Sequence, residues 1–145
     1  MGTHYDTDVV AWANEQAALL RAGKLSQLDI ENIAEEIEDV GKSEKRELAS
    51  RMAVLLAHLL KWQFQSTHRG VSWELTIQGQ RGLIERRLKK TPSLKATLVD
   101  PEWLEDTWFD ALALASKETG IGLEKFPASC LWTAEQIMSP DFYPE

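Results

Sequence analysis

Apolar residues recur at helical spacing through Ile30, Ile33, Ala34, Ile37 and Val40, lapse across residues 41–47, and resume at Leu48, Met52, Leu55, Leu56, Leu59 and Trp62. A period near 3.6 puts these side chains on one face of a helix and is incompatible with a strand, whose faces alternate every second residue. The two stripes read as one long helix bent near Gly41, or as two helices with a break capped by Ser43; we favour the single helix. No stretch of the chain shows sustained period-two alternation, and no repeat or low-complexity tract interrupts the pattern. The expected fold is therefore all-α, a bundle of about four principal helices with short terminal helices.

Local signals place the remaining elements. Asp6 or Asp8 can cap a first helix over about residues 7–22, in which Val9, Trp12, Ala13, Gln16, Leu19 and Leu20 share a face before Gly23. Asp29 can cap the long segment. Residues 65–71 read as a loop, and Ser72 can start a third helix bearing Trp73, Ile77, Ile84 and Leu88, stopped at Thr91-Pro92. Gly79 and Gly82 inside it each cost roughly 1 kcal/mol relative to Ala, which implies either a close helix approach or a weakly held stretch. Thr91-Pro92 and Asp100-Pro101 each set a capping side chain before a proline at the first helical position, predicting a short helix at 92–98 and a longer one at 101–119 closed by Gly120. Thr133 with Gln136 forms a capping box for a last short helix ending before Pro140.

With 145 residues, 43% of them hydrophobic and 27% charged, the chain is expected to form a single folded domain rather than a disordered segment. Its one cysteine, Cys130, has no partner for a disulfide or a paired-cysteine zinc site, which fits a reducing cytoplasm. The start carries neither a basic, apolar leader nor a myristoylation pattern, so no targeting segment is expected. The longest apolar run, residues 52–60, is nine residues and includes His58, against about 20 needed to span a membrane.

The net charge of −7 is segregated: residues 1–50 carry −6, residues 51–97 carry +7 and residues 98–145 carry −8. Opposite charges attract at short range, so acidic outer helices neutralising a basic middle helix is the favoured account; an exposed basic face of Arg81, Arg86, Arg87, Lys89 and Lys90 is the other. That face beside aromatic side chains would suit single-stranded nucleic acid, but the acidic chain as a whole is unlike most nucleic-acid binders.

Signatures for dinucleotide binding, the phosphate-binding loop, the zinc-protease helix and the nucleophile elbow are absent. A di-iron bundle needs Glu-x-x-His pairs, and Leu55 stands three residues before His58. The remaining metal candidate is Glu35, Glu36 and Asp39, carboxylates close enough on a helix to meet a hard cation. The pattern resembles the Glu-Glu-x-x-Glu helix of all-α nucleoside triphosphate pyrophosphohydrolases, with Glu102 and Glu105 as a second pair, and departs from it where Asp39 replaces Glu. A solvated acidic face is the favoured reading, and no cofactor or metal is expected. His58, the one polar member of residues 52–60, is expected to be a structural histidine bonded to Glu35 or Glu36, or to Glu105 or Asp106 if the long helix is straight. Of six tryptophans, Trp12, Trp73 and Trp108 fall on apolar stripes and are expected in the core, with Trp62, Trp103 and Trp132 half-exposed near helix ends.

The run Leu28-Asp29-Ile30-Glu31-Asn32-Ile33-Ala34-Glu35-Glu36-Ile37-Glu38-Asp39-Val40-Gly41, followed by Leu55-Leu56-Ala57-His58-Leu59-Leu60-Lys61-Trp62-Gln63, closely resembles the bacterial "domain of unknown function twenty-nine" family. The likeness runs from Tyr5-Asp6-Thr7-Asp8 and Trp12, through Ser72-Trp73, Ile77 and Arg81, to Phe126-Pro127, Cys130, Trp132-Thr133 and Gln136-Ile137. Gly79 and Gly82 depart from it, standing where the family is more often charged or polar. The resemblance implies a small all-helical bacterial protein without an assigned activity. It leaves function open, and the expected function is that of a non-enzymatic cytoplasmic interaction or regulatory module whose partner is another protein. A divalent-metal-dependent hydrolase of a nucleotide-like substrate is the first alternative, and nucleic-acid binding through the basic third helix the second.

Overall fold

The computed structural model describes residues 2–145. The four principal helices are α1 (Val9–Arg21), α2 (Ile30–Phe64), α3 (Val71–Lys90) and α5 (Pro101–Thr119); α4 (Leu94–Leu98) and α6 (Ala134–Met138) are short. Single 3-10 turns at Leu25–Gln27, Ser66–His68 and Leu123–Lys125 occupy connections in which the sequence carries no helical signal, and no strand occurs among the described residues. The fold is all-α. The long segment is one helix of 35 residues with no break at Gly41.

The helix ends show why these segments form. Asp8, not Asp6, caps α1, accepting from the Ala11 amide at 3.1 Å. Asp100 accepts from the Glu102 amide at 3.3 Å ahead of Pro101, and Gly120 closes α5 with φ +77°, the left-handed conformation that a Cβ disfavours. At α6 both halves of the capping box form: the Gln136 amide donates to Thr133 Oγ1 at 3.1 Å, and the Thr133 amide donates to Gln136 Oε1 at 2.9 Å. Two boundaries depart from expectation. α3 begins two residues early, with extended Gly70 rather than Ser72 as its cap, and the Gly70 carbonyl takes the Glu74 amide at 3.1 Å. Thr91 belongs to the end of α3, its amide bonded to the Arg87 carbonyl at 2.8 Å, so Pro92 falls in a turn and α4 starts only at Leu94.

The chain packs as two compact units, Met1–Glu44 and Lys45–Glu145. In the second, Leu48, Met52, Leu55, Leu56, Leu59 and Leu60 of α2 meet Ile77 and Ile84 of α3, Trp108, Ala111 and Ala115 of α5, and Phe126 and Ile137. Each large side chain withdrawn from water there contributes about 1.5–3 kcal/mol. Trp108 is in this core, but Trp73 is only half-buried; the buried Lys61 places its Nζ 5.1 Å from the Trp73 ring centroid while bonding Glu118 Oε2.

Arg81 overturns its place on an exposed basic face. It is 5% exposed. Its Nε donates to the Ile137 carbonyl at 2.7 Å and its Nη2 to the Phe142 carbonyl at 2.6 Å, with Pro140 O 3.5 Å from Nη1. The guanidinium fork can satisfy several carbonyls that a single helix end leaves open, so it ties α6 and the residues after it to α3.

Gly79 and Gly82 have no atom within 4 Å of the point where a Cβ would sit. Among the described residues no close approach requires them. Gly79→Ala and Gly82→Ala are each expected to raise stability by about 0.5–1 kcal/mol through the helix propensity of α3, read from denaturant midpoints; a loss of stability at either position would show that the small side chain is needed.

Candidate functional site

The Met1–Glu44 unit pairs α1 with the first turns of α2, and its apolar surface is far from fully covered. Ile37 and Val40 are each 66% exposed, Ile30 69% and Leu20 48%. The apolar stripe at the start of α2 is thus largely an open face. Among these residues lies a groove of about 370 Å³, walled by Ala13, Ala17 and Leu20 of α1 and by Ile33, Ile37 and Val40 of α2, with Trp12, Gln16 and Glu36 also lining it. Trp12 is 4% and Gln16 8% exposed, and these two are the buried members of α1. A hairpin of this size has too little interior to bury both helices' stripes, since a chain near 40 residues is ordinarily stabilised only with help from oligomerisation, a metal or disulfides.

Polar contacts hold the groove's shape. Trp12 Nε1 donates to Asp29 Oδ2 at 3.0 Å, the Asp29 amide donates to Gln16 Oε1 at 2.8 Å, and Asn32 Nδ2 donates to Asp29 Oδ2 at 2.8 Å. The Tyr5 hydroxyl donates to Glu36 Oε1, and its ring stands edge-to-face on Trp12 with centroids 4.8 Å apart. Every buried polar tip on the groove side therefore has a partner, as burial requires.

These contacts set the hairpin's response to pH. The Asn32 side-chain amide above all, and then the Trp12 indole, hold the Asp29 carboxyl below its ordinary value against the opposing effect of burial. The bond to Glu36, reinforced by burial and by the charges of Glu36, Glu35 and Asp39, pushes the Tyr5 phenol up to about 12. Asp29 thus contributes stability that is present at neutral pH and lost as pH falls through its depressed value; Tyr5 contributes stability complete below 10.0 and lost as pH rises through about 12. Hydrogen-exchange protection of α1 is expected to be flat across neutrality and to fall at both extremes. Tyr5→Phe should abolish the alkaline fall, and an unchanged alkaline limb in that variant would remove Tyr5 from the account.

The other residues singled out by sequence lie as follows. Glu36 is engaged by Tyr5, Glu35 is exposed and Asp39 half-buried. Among the described residues no group of three or more His, Cys, Asp or Glu side chains is placed to hold a metal ion. Glu102 and Glu105 are exposed on α5. His58 is half-buried, and its polar partner is main-chain rather than a carboxylate of Ile30–Val40: Nδ1 donates to the Val54 carbonyl one turn earlier at 2.9 Å. A histidine four residues past a carbonyl on the same helix needs no second helix to satisfy that nitrogen. Burial holds the imidazole below its ordinary value, with the Val54 bond opposing it and Lys61 and Glu118 the nearby charges. Arg87 lies 3.5 Å from Glu47, and Arg86, Lys89 and Lys90 are exposed at the end of α3. Sequence reasoning missed Tyr5 as a clamp on Glu36 and the Lys61–Glu118 pair, because both join residues far apart in the chain with no local pattern.

The fold and this groove define an all-α protein with an open apolar groove on its N-terminal helical hairpin. The family model described as "Domain of unknown function DUF29" matches residues 4–143, and the chain belongs to that family. No curated protein and no solved structure matches it.

Proposed function

We propose that the chain is a non-enzymatic interaction module that works in the cytoplasm and docks a partner protein in the groove between α1 and the start of α2. The observation that carries this reading is the exposure of Leu20, Ile37 and Val40 around a groove whose floor is pinned by the Trp12–Asp29 and Tyr5–Glu36 bonds. An open apolar patch costs solubility and marks a contact site when it is contiguous and rimmed by polar groups, and a groove of two helices suits an amphipathic helix. The lone Cys130, its thiol pushed up by burial, supports a reducing compartment and does not suit a nucleophile. No helix of the described residues is long and apolar enough to cross a membrane.

A pull-down from the native host tests this with two baits, the wild-type chain and the double variant Leu20→Asn, Ile37→Asn. Both positions are exposed, so circular dichroism should be unchanged. A partner retained by the wild type and lost with the double variant is the expected result; identical capture by both baits would overturn the groove as the docking site.

A further inference from the structure

The net charge of the chain is carried by the unit that bears the groove. Residues 1–44 hold ten acids and three bases, a net −7, whereas residues 45–145 balance 13 acids against 13 bases. On α2 the carboxylate of Glu36 itself lines the groove beside Ile33, Ile37 and Val40, and the exposed Glu31, Glu35 and Glu38 occupy the remainder of the same helix surface. At physiological ionic strength charges interact across about 8 Å, so a side chain seated in the groove meets the Glu36 carboxylate directly and approaches through the field of an acidic unit. We propose that the occupant is a cationic amphipathic helix of a partner protein, with apolar anchors at i, i+4 and i+7 facing Leu20, Ile33, Ile37 and Val40 and Lys or Arg flanking them. The inference rests on the groove being the docking surface and adds the partner's chemistry.

Size and sign both select this occupant. α1, with 13 residues, runs about 20 Å at 1.5 Å per residue, which matches a partner helix of three to four turns. A second copy of this chain would bring another −7 against the first, and nucleic acid or an anionic lipid surface is repelled in the same way. A cation near Glu36 on this acidic unit gains attraction that speeds encounter and selects against acidic helices.

The test titrates the full chain with two labelled synthetic helices of identical apolar face, one flanked by Lys and one by Glu, while light scattering follows the chain's own oligomeric state. The Lys-flanked helix is expected to bind with a Kd on the order of micromolar, to weaken at least tenfold with Ile37→Asn, and to weaken several-fold with Glu36→Gln, which keeps an acceptor for the Tyr5 hydroxyl, or with added salt. The Glu-flanked helix should show no binding. Equal binding of both helices, still lost with Ile37→Asn, would overturn the cationic partner and leave the docking groove standing. Binding of the Lys-flanked helix that Ile37→Asn does not alter would reduce the contact to charge alone and overturn both. Self-association abolished by Ile37→Asn, with no peptide bound, would make a second copy the occupant and overturn the proposal.

Discussion

Arg81→Met is expected to lower the stability of the Lys45–Glu145 unit by about 3 kcal/mol or more, measured by chemical denaturation. Its two short bonds, to the carbonyls of Ile137 and Phe142, are charge-assisted, and such bonds contribute roughly 1.5–3 kcal/mol each. Methionine fills the space of the aliphatic stem but leaves both carbonyls without that donor. Arg81→Lys is expected to recover little, since one ammonium cannot reach the carbonyls that the planar fork spans. Arg81 also lies over the Tyr143 ring, 5.4 Å from its centroid, so residues 134–145 should become the first site of limited proteolysis in either variant. An unshifted denaturation midpoint and an intact C-terminal segment in Arg81→Met would show that the three carbonyls are held by packing alone.

Trp12→Ala is the second large effect, and it should be confined to the N-terminal hairpin. The indole is 4% exposed, stacks edge-to-face on Tyr5 and bonds Asp29; truncating a buried Trp costs about 3–5 kcal/mol. A unit whose α1 buries little else has no reserve against such a loss, so α1 is expected to lose its hydrogen-exchange protection while α3 and α5 keep theirs. Trp12→Phe retains a ring and loses the bond, leaving Asp29 to Asn32 alone, with an expected cost of about 1 kcal/mol. Equal loss of protection in α1 and α5 would show that the chain unfolds as one cooperative whole and that the hairpin is no separate unit.

Local rules carried a large share of the fold. The caps at Asp8, Asp100 and Thr133, the stop at Gly120 and the two apolar stripes of α2 are all decided by residues within one or two turns of each other, and interactions of that range are written directly in the sequence. The family was legible for the same reason, since its motifs are contiguous runs that match end to end. The start of α3 was misplaced by two residues because Gly70 and Ser72 both satisfy the local requirement for a cap, and the competition between them is small in energy.

What the sequence left open depended on which face of each helix finds a partner. Ile37 and Leu59 have the same hydropathic weight and the same periodicity within α2, yet Ile37 is 66% exposed and Leu59 fully buried, because only the Lys45–Glu145 unit brings enough helices together to cover the stripe. Arg81 and Arg86 are likewise indistinguishable in a linear charge count, and only the carbonyls of residues 137–142 select the first for the interior. His58 took the Val54 carbonyl at hand instead of a carboxylate across the bundle. Periodicity and capping energies are local and sum along the chain, so the sequence by itself determined that these helices form and where they end. Burial is a property of contacts between segments far apart in that chain, so tertiary structure alone decided that one apolar stripe became a core and the other a groove.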